Sequence, residues 1–141
     1  MKSLKSVMLG IALLAVFGAA NIVKASGVPL TENDVINTYV SAMTQGNLKG
    51  INEVLDENAT FSMLQANKVV NISKEDMLSF LKSTKGVQQD CTTSTSVVES
   101  NVNNAVVKVD MQYGEHVRSN YVTMVNTEDG WKITDVYTIF K

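Results

Sequence analysis

An α+β fold is the class this sequence predicts, and three observations predict it. Up to Gly86 the apolar residues recur at helical spacing, and beyond it they alternate. Two capping boxes, Thr31-Glu32-Asn33-Asp34 and Ser73-Lys74-Glu75-Asp76, open helices in the first part. Polar or glycine-containing turns at 101–104, 114–116 and 127–130 cut the second part into four strands. Helices followed by an antiparallel meander is the segregated order of α+β.

The elements follow in chain order. Lys2 and Lys5 precede an apolar run from Val7 to Ala20, too short to span a bilayer, and Val23-Lys24-Ala25 offers a small-residue cleavage site. Residues 1–25 therefore read as a secretory signal peptide, with an uncleaved amphipathic anchor as the other reading. That leaves 26–141 as one domain, exported to the periplasm or the extracellular space. From Thr31 a helix carries Val35, Ile36, Tyr39, Val40 and Met43, and Gly46 ends it. Asn47 is placed to cap a short second helix with Leu48, Ile51 and Leu55 on its face. Ala59 to Leu64 and Val69 to Ile72 form a short hairpin. Met77, Leu78 and Leu81 then stripe a third helix that Gly86 stops.

The four later strands are β-prone and patterned. Thr92 to Ser100 is rich in Thr, Ser and Val; Ala105, Val107, Val109, Met111 and Tyr113 share one face of the next strand. Val122 and Met124 share a face of the third. In the last, strict alternation sets Trp131, Ile133, Asp135, Tyr137 and Ile139 on the inner side. It sets Lys132, Thr134, Val136, Thr138 and Phe140 on the outer side. Asp135 is then a carboxylate on an apolar face, either a pocket residue or a residue of a solvated rim.

Composition excludes several function classes. Three of the 12 basic residues and none of the 14 acids lie in the leader, so nine against 14 remain, a net charge of −5. With no Lys/Arg cluster, neither nucleic acid nor, after leader removal, a membrane surface is an expected partner. Cys91 is the single cysteine, so no internal disulfide forms; it is a buried inert thiol or else one that forms an intermolecular bridge or reacts. One Cys and one His make no zinc set, and no phosphate loop, cofactor fingerprint or Ser-His-Asp arrangement is present. No metal and no cofactor are expected. His116 is expected in an exposed turn, and Lys108 and Asp110 on a solvated face.

The run Asn37-Thr38-Tyr39-Val40-Ser41-Ala42-Met43 before Gly46-Asn47, then Asp56-Glu57-Asn58-Ala59-Thr60-Phe61, then Asp129-Gly130-Trp131-Lys132-Ile133, resembles the nuclear-transport-factor-2-like superfamily. Its members include ketosteroid isomerase and polyketide-cyclase-like (SnoaL-like) proteins, and the branch most similar here is the exported bacterial group called putative lumazine-binding. The resemblance implies a curved antiparallel sheet wrapped around the helices (the cystatin-like or cone fold), with a pocket at the wide end and homodimers through the outer sheet face. That face would carry Tyr121, Thr123, Val125, Val136, Thr138 and Phe140. Carried over residue by residue, the isomerase helix-one tyrosine corresponds to Tyr39. The position of its base falls at or next to Met63, which cannot take a proton, and that of its second oxyanion donor near Val122. Isomerase chemistry of that kind is not expected.

The expected function is a non-catalytic small-molecule-binding or dimeric interaction module. Its pocket is lined by Tyr39, Met43, Met63, Val122, Met124, Trp131, Asp135 and Tyr137. The alternative is a lyase or isomerase acting on a small, partly apolar substrate with Asp135 and Tyr39. A pocket filled by Met43, Met63 and Trp131 themselves would leave a purely structural domain.

Overall fold

The helix starts are set by single side chains. In the computed structural model, which describes residues 28–141, the Thr31 hydroxyl accepts the Asp34 N–H at 3.1 Å and the Asp34 carboxylate accepts the Thr31 N–H at 3.0 Å. The Ser73 hydroxyl accepts the Asp76 N–H at 3.1 Å, a simple cap rather than the expected reciprocal box. From these caps run α1 (Glu32–Gln45) and, after a four-residue α2 (Ile51–Val54), α3 (Lys74–Ser83). The N-cap of α2 is Gly50 rather than Asn47, whose side chain instead accepts the Lys49 N–H. The expected leader lies outside the described residues.

The strands are β1 (Leu55–Gln65), β2 (Lys68–Ser73), β3 (Thr92–Ser100), β4 (Asn104–Tyr113), β5 (His116–Thr127) and β6 (Gly130–Phe140). They form one six-stranded open sheet in the order β2-β1-β6-β5-β4-β3. Every neighbouring pair is antiparallel except β1 with β6, which is parallel. Register shifts interrupt β1, β3 and the β5–β6 pair. Each such bulge adds twist and bends its strand, which is how a sheet of this length curls round the helices.

The core lies between the helices and the concave face. Val35, Ile36, Tyr39 and Ala42 of α1 bury against Val107, Val109 and Met111 of β4, Val122 and Met124 of β5, and Ile133 and Val136 of β6. The outward side of α3 leaves Phe80 exposed while Met77 and Leu81 turn in.

One bulge corrects the expected faces of β6. Thr123 pairs with Asp135 but its neighbour Met124 pairs with Ile133, so Thr134 is an extra residue. Alternation holds up to Ile133 and is inverted beyond it. Val136 and Thr138, expected outside, are buried on the concave face, and Phe140 shares that face with its partner Arg118. Asp135 and Tyr137, expected inside, are exposed on the convex face beside Thr123 and Tyr121. The convex face thus loses three of the residues assigned to a dimer contact, Val136, Thr138 and Phe140, and gains a carboxylate. Lys108 and Asp110 lie on this face as expected, 3.7 Å apart, with the Lys108 ammonium over the Tyr121 ring.

Candidate functional site

The concave face is apolar at its centre and polar at one end. β5 places Arg118, Asn120, Val122 and Met124 on this face by simple alternation. Register then sets Asn120 beside Thr138 of β6 and Val109 of β4, and Arg118 beside Phe140 and Met111. Tyr39 reaches down from the middle of α1 to meet them.

Asn120 is the hub. It is fully buried, and a buried amide is stable only when its donors and acceptor are satisfied. Its Nδ2 donates to the Tyr39 hydroxyl at 2.9 Å, and its Oδ1 accepts from the Thr138 hydroxyl at 2.8 Å and from Arg118 Nε at 3.4 Å. Around Arg118 lie Tyr113, which donates its hydroxyl to Gln89 Oε1 at 3.1 Å, and half-buried Cys91. His116, exposed in its turn, stacks on the Tyr113 ring with centroids 5.6 Å apart.

Burial pushes the Tyr39 phenol far above the usual tyrosine range, although the Arg118 charge and the Asn120 hydrogen bond pull the other way. The Tyr113 phenol is also raised, first by burial and then by Cys91. Both hydroxyls therefore stay protonated at neutral pH. The cluster offers neutral donors and one guanidinium, which suits holding and orienting a ligand. Nothing in it is a base poised to take a proton.

The residues expected at the site divide. Tyr39, Val122 and Met124 are buried on the concave side, and Met43, Met63 and Trp131 are half-buried at its margins. Asp135 and Tyr137 are not with them, because the Thr134 bulge turns both to the convex face. Asp135 and Tyr39 thus sit on opposite sides of the sheet, and no shared ligand volume joins them. Asn120, Thr138, Arg118, Tyr113 and Gln89 were not among the expected residues. A signal for two of them was present: Asn120 and Arg118 continue the Val122–Met124 face as polar residues on an apolar row.

A second concavity, of about 540 Å³, lies at the other end of the sheet. Glu53, Asp56, Glu57, Glu128 and Asp129 border it together with Lys74 and Lys132. The two ammonium groups are occupied. Lys74 donates to the Asn52 and Leu55 carbonyls at the end of α2, and Lys132 donates to the Glu53 carbonyl at 2.6 Å. Among the described residues no three His, Cys, Asp or Glu side chains are grouped to hold a metal ion.

A family model described as putative lumazine-binding matches residues 31–137. No curated protein matches the chain. Among solved structures, an NTF-2-like protein of unknown function from Silicibacter pomeroyi superposes with a TM-score of 0.64 at 17% identity, covering 76% of this chain and 90% of that one. An NTF2-like protein from Cytophaga hutchinsonii gives 0.58 at 15% identity, covering 75% and 92%. A protein from Thiobacillus denitrificans described as a putative calcium/calmodulin-dependent protein kinase type II association domain gives 0.56 at 11% identity, covering 81% and 98%. At these identities the likeness is one of fold.

Proposed function

The chain belongs to the putative lumazine-binding family of the NTF2-like superfamily, and from that premise we propose that it is an exported, non-catalytic module that binds a small, partly apolar ligand on its concave face. The observation that carries this reading is the polar end of the concave face, where half-buried Arg118 and exposed Phe140 stand over the buried Tyr39–Asn120–Thr138 network. Apolar walls with a few fixed hydrogen-bonding groups are what small-molecule sites need. A non-catalytic role is supported by the geometry of the enzyme alternative, whose acid, Asp135, faces away from Tyr39.

Lumazine itself is the probe that tests binding. Its fluorescence should change saturably on titration with the purified protein, with a Kd of about micromolar order. No saturable change at millimolar protein would overturn the binding reading for this ligand class.

Export rests on the basic start, the apolar run and the small residues at Val23 and Ala25. Mass spectrometry of the exported fraction should find an N-terminus near Ser26. An intact mass that includes Met1 in that fraction would sink the proposal.

A further inference from the structure

We propose that the polar end of the concave face is a subsite for a carboxylate group on the ligand, with the Arg118 guanidinium as its anchor. This deepens the binding reading above and rests on it.

Arg118 is the single arginine of the chain, and it is half-buried on the concave side. Among the described residues no carboxylate lies within 4.0 Å of it, the one ion pair being Lys108 with Asp110 on the opposite face. Residues 1–27 contain no Asp or Glu, so they hold no acidic side chain to pair with it. A partly desolvated cation without a counter-ion is unfavourable in a resting fold. The other cations discussed above are occupied: Lys108 pairs with Asp110, and Lys74 and Lys132 bond main-chain carbonyls.

The guanidinium is also held in place. Its Nε is directed at Asn120 Oδ1, which Thr138 fixes from the other side. Nε is used in this way and the guanidinium also bonds the Tyr113 hydroxyl, which leaves further donors of the planar fork for a carboxylate.

A monoanion fits better than a phosphate, because a phosphate dianion calls for more than one cation and Arg118 is the cation of this cluster. The flanking side chains describe the rest of the ligand. Met111 and Phe140 are the cross-strand partners of Arg118, and Phe140 is 55% exposed on this face. An aryl or alkyl group would lie against that ring. The class is therefore a small apolar carboxylate.

Benzoate and its neutral counterpart benzyl alcohol, titrated calorimetrically into the purified protein, test this. Benzoate should bind about tenfold or more tightly than benzyl alcohol, the least expected of a charge-assisted hydrogen bond. The preference should shrink with added salt. Arg118→Gln should bring benzoate down to the alcohol's affinity and leave the alcohol unchanged, while Arg118→Lys should keep part of the preference. Amide NMR spectra establish that each variant is folded; if Arg118→Gln is not, the wild-type preference and its salt dependence decide. Equal affinities in the wild type, or undiminished benzoate binding in Arg118→Gln, overturn the carboxylate subsite and leave the binding reading intact. Lumazine binding without benzoate binding does the same, and failure of lumazine and both benzene probes overturns both.

Discussion

Gly46→Ala should destabilise the domain by about 2–4 kcal/mol, the sum of a left-handed backbone penalty and main-chain hydrogen bonds lost to a clash. Gly46 closes α1 with φ at +67°, returning its N–H to the Ser41 carbonyl. A Cβ there would press on the Gly86 nitrogen and lie 2.7 Å from the Val87 nitrogen and 2.9 Å from the Thr84 oxygen. These are main-chain atoms that cannot rotate away. The same contact carries the Gly86 N–H to Gly46 O bond at 3.0 Å and, beside it, the Gln89 N–H to Thr44 O bond at 2.7 Å. Gly86→Ala is the control. Its φ is +78° but nothing lies within 4 Å of the added carbon, so it bears only the strain, about 1 kcal/mol. Urea midpoints at unchanged m-value compare the two. Equal losses would mean that the α1 end does not dock on the 84–89 loop in solution. Because that loop delivers Gln89 to Tyr113, Gly46→Ala should also weaken ligand binding at the polar end of the concave face.

Local signals were legible and long-range ones were not. Thr31 and Ser73 announce their helices through an acid three residues on, and the structure contains both caps. The alternation of β4 from Ala105 to Met111 needs no partner to be read, and all four of its inward residues are buried. The parallel pairing of β1 with β6 joins segments some seventy residues apart, and no short pattern encodes it. The Thr134 bulge is the instructive case. A bulge is defined by what the partner strand does opposite it, so β6 read alone keeps its period of two and turns Asp135 and Tyr137 to the wrong face. The same error hid Thr138 and with it the Asn120 network, although the polar Arg118–Asn120 row was visible on β5.

That network makes the second large effect. Asn120→Leu should cost about 2–4 kcal/mol, because the Tyr39 and Thr138 hydroxyls are left in the core with no partner from this position. Tyr39→Phe should cost less, about 1–2 kcal/mol, for one unpaired Nδ2. The double variant should cost less than the two together by about 1 kcal/mol, since the Tyr39 hydroxyl and the Asn120 Nδ2 are then both gone and only the Thr138 hydroxyl stays unpaired. Strict additivity would mean that the two side chains merely fill space.

The phenol also makes the difference depend on pH, and its sign is fixed. Burial raises the Tyr39 pKa in the folded chain, so the folded state keeps a proton that the unfolded state loses near the ordinary tyrosine value, about pH 10. Its contribution is complete below that pH. Above it unfolding releases a proton, and stability falls by about 1.4 kcal/mol per pH unit until the folded form titrates as well. Tyr39→Phe has no such proton, so on the alkaline side the gap between wild type and variant should close and then reverse. Urea unfolding of both proteins at neutral and alkaline pH measures this directly. A gap that stays constant through the tyrosine range would place the Tyr39 hydroxyl in contact with water, and the buried network at the polar end would lose its first member.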